Sequence, residues 1–124
     1  MKILFVSNDP TLFDVTSSTR ARMRAYAALM GELHIVSVAN LGAREEQEGN
    51  LFLYPVHAWK IFRVRSLAKR ARALILQYGI EAVSAQDPFE HGLAALRAVR
   101  GTTTKLHIQV HTDFLSPWFV NKGN

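Results

Sequence analysis

The chain has 124 residues, a formal net charge of +5 and no cysteine, with 48% hydrophobic and 20% charged residues. That length is one domain with a single core, and that composition excludes a disordered tail, a collagen-like repeat and a low-complexity linker. The lack of cysteine excludes a disulfide scaffold, a Cys-ligated zinc site, a thiol nucleophile and an iron–sulfur cluster, while 15 basic against 10 acidic residues favour anionic partners: nucleic acid, phosphorylated metabolites or an acidic membrane surface.

In chain order, Met1-Lys2-Ile3-Leu4-Phe5-Val6-Ser7 opens with an apolar run of four. A secretory signal needs an apolar region of about 7–15 residues and a membrane helix about 20, so a soluble, cytoplasmic chain is expected. Ile3–Ser7 reads as a first strand. Ser18 to Met30 reads as a helix, with Ser17 or Ser18 as its cap, Met23, Ala27 and Met30 on its inner face and Gly31 just past its end. Leu33–Val38 is a second strand, residues 43–50 a polar loop, and Leu51–Val56 a third strand. A second helix over about Ile61 to Tyr78 repeats apolar residues at Ile61, Val64, Leu67, Ala71, Leu74 and Tyr78, with Gly79 at its end. Ala82–Ala85 is a fourth strand. Asp87-Pro88-Phe89-Glu90 then reads as a helix start, with Asp87 as cap, Pro88 in the first turn and Glu90 as the reciprocal carboxylate. Phe89, Leu93 and Leu96 share a face of that helix, Gly101 ends it, and Leu106–Val110 is a fifth strand.

Strands alternating with helices of this length predict an α/β fold, a Rossmann-like open and mainly parallel sheet with helices on both faces. The expected strand order is 3-2-1-4-5 with right-handed crossovers. In such a sheet the ligand sits beyond the carboxyl ends of the strands, where strand order reverses. Three loops build that edge: residues 8–18, 86–92 and 111–118.

The first of these loops, Asn8-Asp9-Pro10-Thr11-Leu12-Phe13-Asp14, holds no glycine. Without one the backbone cannot approach a pyrophosphate closely, which argues against a nicotinamide-dependent dehydrogenase. No phosphate-cradling G-x-x-x-x-G-K-[ST] loop and no G-x-S-x-G elbow occur either. Of the five histidines, His34 and His107 fall inside strands, His57 adjoins Trp59 in a connection, and His91 lies in the first turn of a helix, where a neutral ring is expected if buried. His111 differs: it stands at the carboxyl end of the fifth strand beside Thr112 and Asp113. His111 and Asp113 alone, one residue apart, do not make a metal site, and no metal is expected. Arg20, near the amino-terminal turn of the first helix, is the expected phosphate contact. Lys60, Arg63, Arg65, Lys69, Arg70 and Arg72 form either a solvated face of the second helix or a platform for acidic lipid or a phosphorylated acceptor. Nucleic acid is disfavoured because the aromatics are not interleaved with these charges.

The segments from Met1 to Ser7, from Ser17 to Arg24 and from Leu33 to Val38 together resemble the opening of family-four retaining glycosyltransferases of the GT-B architecture. Val83-Ser84-Ala85-Gln86-Asp87-Pro88-Phe89-Glu90-His91-Gly92 is similar to that family's fourth-strand junction, and Gln109-Val110-His111-Thr112-Asp113-Phe114 to the end of its fifth strand. The resemblance implies an amino-terminal, acceptor-side domain, part of a two-domain protein. In that family a second domain carrying a Glu-x7-Glu motif grips the nucleotide-sugar donor, and neither is in this sequence. It implies His111 as the catalytic residue near the transferred sugar. Ser18, Asp87, Thr112 and Asp113 would line the acceptor side, and Arg20 would hold an anionic group. The donor is a co-substrate, so no cofactor is implied; the acceptor is a sugar or a lipid-linked acceptor, and a peripheral contact with the acidic inner face of the membrane is among the expected locations. The competing readings are a stand-alone nucleotide or sugar-phosphate binding module and a basic interaction module.

Overall fold

A computed structural model describes residues 1–86 and 90–108. Six strands form one sheet: β1 (Lys2–Ser7), β2 (Glu32–Val38), β3 (Glu46–Glu48), β4 (Leu51–Val56), β5 (Ala82–Ala85) and β6 (Lys105–Ile108). Three helices join them: α1 (Ser18–Met30), α2 (Arg63–Tyr78) and α3 (Glu90–Val99). The strand order is β3-β4-β2-β1-β5-β6. All pairings are parallel except β3 with β4. The five strands expected from the sequence thus stand in the expected order, in a Rossmann-like open sheet.

Side chains alternate across the sheet and build two cores. Phe5, Leu33, Ile35, Leu51 and Leu53 pack with Met23 and Ala27 of α1 on one face. Leu4, Val6, Val36, Val83 and Ala85 pack with α2 and α3 on the other. Gly31 closes α1 at φ 99°, where an added Cβ would meet the Met1 nitrogen at 3.1 Å. Gly79 ends α2 in the left-handed region, its N–H donating to the Ile75 carbonyl.

Three local expectations need correction. Residues 43–50 are not all loop: β3 pairs antiparallel with β4 through Glu46↔Leu53, Gln47↔Phe52 and Glu48↔Leu51. Its polar, unbranched residues carry no strand signal, and they suit an edge that must not recruit another chain. The second helix starts later than expected, because Lys60–Phe62 form a 3-10 turn and Ile61 lies 84% exposed instead of joining the core stripe. Leu93 and Leu96 also face outward, and the buried face of α3 is His91, Gly92, Ala94, Ala95, Ala98 and Val99. Small side chains let α3 approach α2 and the sheet closely, which leucines there would prevent. The carboxyl end of α3 is held by Arg72, whose guanidinium donates to the carbonyls of Ala98 (3.2 Å) and Arg100 (2.6 Å). Finally, the proposed start of α3 at Asp87-Pro88-Phe89 lies outside the described residues.

His34 is fully buried in β2. Its Nε2 lies 2.6 Å from Glu32 Oε1 and its Nδ1 2.8 Å from Tyr54 Oη. The neutral ring with Nε2–H donating to the carboxylate and Nδ1 accepting from the tyrosine hydroxyl satisfies both contacts. Phe52 and Tyr78 each meet the ring at 4.5 Å between centroids. Burial pushes the His34 imidazolium below its ordinary range, outweighing the pull of Glu32. Burial, followed by the charge of Arg63, does the same to His91.

Both histidines therefore take up protons more readily unfolded than folded, so their contribution to stability is complete above about pH 6.5 and is lost as pH falls below it. Thermal melting followed from about pH 7.5 to about pH 5 should show a falling midpoint, with a shallower slope in His34→Phe. A flat profile in the parent would contradict the assignment.

Candidate functional site

Strand order reverses at β1. The chain leaves β1 through α1 on one face, and β5, its other neighbour, leads into α3 on the opposite face. The connections after β1 and β5 therefore diverge, and a cleft of about 330 Å³ opens between them at the carboxyl edge. Its floor is Phe5, Leu12, Met23 and Ile35, and its polar rim is Ser7, Asn8, Asp9, Thr19, Arg22, Gln86 and His91.

The β1–α1 connection is held by its own hydroxyls in place of glycine. The Asp9 carboxylate accepts from Thr11 N (3.0 Å) and Thr11 Oγ1 (2.6 Å), and its other oxygen accepts from Thr19 Oγ1 (2.8 Å). Asp9 N–H donates to Ser37 Oγ at 3.2 Å, tying the loop to β2. Ser17 caps α1 by accepting from Arg20 N (3.0 Å) and donates to the Thr11 carbonyl (2.7 Å). Partial burial works against the Asp9 charge, but hydrogen bonds from Thr11 and Thr19 and the nearby Arg22 hold its carboxyl below the usual range. An ionised carboxylate thus stands beside the first turn of α1. It repels a phosphate there and offers acceptors to hydroxyl groups. His91, neutral by its burial, faces the cleft from the first turn of α3.

The expectation that Arg20 holds an anion does not fit its placement. Its side chain is 2% exposed, and its guanidinium donates to the Leu12 carbonyl at 3.1 Å and pairs with Glu46 and Glu48, each at 3.4 Å. Arg24 also pairs with Glu48, which lowers the Glu48 carboxyl and raises the guanidinium. Arg22, two positions beyond Arg20, is the basic residue on the cleft. The reason is helical phase: Arg20 lies on the stripe of Met23 and Ala27 that faces the sheet, and Arg22 lies off it. Ser18 is the exposed first residue of α1 and does not line the cleft; Ser17 makes the cap. Asp87, His111, Thr112 and Asp113 lie outside the described residues. The sequence therefore located two of the edge loops but not the side chains that line the cleft: Asn8, Asp9, Gln86 and His91 in those loops, and Thr19 and Arg22 on α1. No group of three or more metal-binding side chains occurs among the described residues, and none of their helices is long and apolar enough to cross a membrane.

No family model matches the chain and no curated protein matches it. Among solved structures, it is similar to the C-terminal domain of a hydrogenase from Pyrococcus furiosus, with a TM-score of 0.57 and 13% identity over 87% of this chain and 90% of that one. At that identity the likeness is one of fold.

The two arginines should separate on substitution. Arg20→Met removes a buried charge network and should cost about 1–3 kcal/mol of stability. Arg22→Ala should leave stability within about 0.5 kcal/mol and weaken binding of a sugar phosphate, measured by amide chemical shifts. The reverse pattern would return Arg20 to the binding role.

Proposed function

We propose that this chain is the acceptor-side domain of a retaining glycosyltransferase that moves a sugar from a nucleotide-sugar donor to a sugar or lipid-linked acceptor in the cytoplasm. The observation that carries the reading is the cleft at the reversal of strand order, with an apolar floor and a rim of short polar side chains. Asn8, Thr19 and Gln86 offer both donors and acceptors, and ionised Asp9 accepts only. That mixture suits vicinal hydroxyls. The apolar floor of Phe5, Leu12 and Met23 suits the C–H face of a sugar ring, and Arg22 supplies one positive charge on the rim beside Asp9.

The resemblance assigns the transferred sugar's partner to His111, three positions beyond the end of β6 in sequence. In this reading the donor is held chiefly by a second domain, and this domain contributes acceptor recognition. A second reading, a sugar-phosphate or nucleotide binding module, draws on the same cleft and on Arg22.

Two measurements test the proposal. In the two-domain enzyme, His111→Ala should lower turnover about 10²-fold or more with unchanged melting, the loss expected for a preorganised donor at the developing charge. Asp9→Asn should raise the KM for acceptor and leave the KM for donor near its parent value. The 124-residue chain by itself should bind simple glycosides at the cleft yet transfer nothing. Turnover by this chain alone would refute the division of labour, and binding of sugar phosphates without glycosides would favour the second reading.

A further inference from the structure

The amino-terminal end of α2 carries a surface that the cleft does not use. Trp59 is 83% exposed, Ile61 84% and Phe62 49%, all within or next to the 3-10 turn of Lys60–Phe62. Three large apolar side chains side by side in water lower no folding free energy, and a clustered patch of this kind marks an interaction site. Along the chain on either side of it the charge is of one sign. From Gly49 to Ile80 the sequence holds no aspartate or glutamate and six lysines and arginines.

The six are not equivalent. Arg63 pairs with Glu90 at 3.6 Å, Arg70 pairs with Glu45 and lies over the Tyr54 ring, and Arg72 is bound to the end of α3. Lys60, Arg65 and Lys69 are exposed and have no ion-pair partner among the described residues. Ile61, Arg65 and Lys69 recur at the i, i+4 spacing, so they lie along one side of the element, with Trp59 and Phe62 beside its tip. The first turn of α2 has no acidic residue to cancel the charge. Arg70 and Arg72, the residues a simple count of charges would have chosen, are turned to structural use.

We propose that Trp59–Lys69 binds the surface of an anionic phospholipid bilayer, Trp59, Ile61 and Phe62 entering the acyl boundary while Lys60, Arg65 and Lys69 meet the headgroup phosphates. Charge complementarity selects the anionic surface. Trp59 and Phe62 could stack on bases, but the equally exposed aliphatic Ile61 between them gains only from an apolar phase, which favours a bilayer and makes tRNA the competitor to test. The contact is reversible and needs no spanning helix. It stands apart from the transferase reading and survives or fails without it.

Co-sedimentation of the chain with phosphatidylglycerol–phosphatidylcholine vesicles tests this directly, beside phosphatidylcholine alone and tRNA as a competitor. The parent should bind the anionic vesicles, bind the neutral ones far less, and lose binding as salt rises. Trp59→Ser with Ile61→Asp, and separately Lys60→Glu with Lys69→Glu, should each lower partitioning about tenfold or more. These positions are exposed, and unchanged circular dichroism of each variant shows that folding is kept; Arg65→Glu serves as a further single charge reversal. Absence of vesicle binding by the parent overturns the proposal. So does binding that resists the apolar pair, or tRNA binding that depends on the charges and displaces the vesicles, which would assign the surface to nucleic acid.

Discussion

Strand β1 occupies the middle of a mainly parallel sheet, with the next strand of the chain, β2, on one side and the much later β5 on the other, and this constraint organises the rest of the molecule. A right-handed crossover to β2 must place α1 on one face. The return past β1 to β5 must place α2, and then α3, on the other. The connections at the carboxyl edge are pulled apart by that requirement, so a cleft exists there before any side chain is chosen. What the sequence then decides is the cleft's chemistry. Here the decision is for hydroxyl and amide groups around one ionised carboxylate, not for glycine-exposed backbone N–H groups that would receive a diphosphate.

Arg20 and the Asp9 turn make the cleft rigid in two different ways. Asp9 is bound within its own loop, and its N–H donates to Ser37 of β2, which ties the rim after β1 to the sheet. Arg20 reaches the other way, joining α1 to the Leu12 carbonyl and to the acidic edge strand β3. Its guanidinium is buried while Glu46 and Glu48 stay about one third exposed, so the desolvation cost falls mostly on the cation. Such a network fixes orientation more surely than it adds stability. The short acidic strand is thus explained twice: it protects the sheet edge, and it neutralises the one arginine that helical phase drives inward.

Much of the architecture was legible because period is a strong signal. Residues 3–7, 33–38, 51–56 and 82–85 announce strands by short, period-two or continuous apolar runs with β-branched content, and Met23, Ala27 and Gly31 mark the inner face and end of α1. What could not be read depended on packing distance or on pairing. Leu93 and Leu96 suggest a core face by hydrophobicity, but Ala94, Ala95 and Ala98 win it because close approach to α2 favours small volume. Residues 46–48 become a strand only because β4 offers an open edge beside them. At the cleft, proximity to a helix start made Arg20 attractive as an anion contact. Applying the core stripe of α1 to Arg20 as well as to Met23 would have sent it inward and brought out Arg22.

The apolar tip and the cleft lie at the same edge of the sheet. Val56 ends β4 at the carboxyl edge, and Lys60–Phe62 follow before α2 turns back. The cleft lies beyond β1, separated from β4 by β2, a lateral step of about 10 Å at the usual strand spacing. A parallel sheet sends every loop of one polarity to one side, so a surface that seats the tip on a bilayer also turns the cleft's edge toward the headgroups. An acceptor carried on a lipid would then meet the polar rim of Asn8, Asp9 and Gln86 without leaving the membrane. A soluble acceptor would gain nothing from the arrangement. Under the proposed transferase reading, the shared edge would favour a lipid-linked acceptor over a soluble one, an argument from strand polarity and exposed side chains.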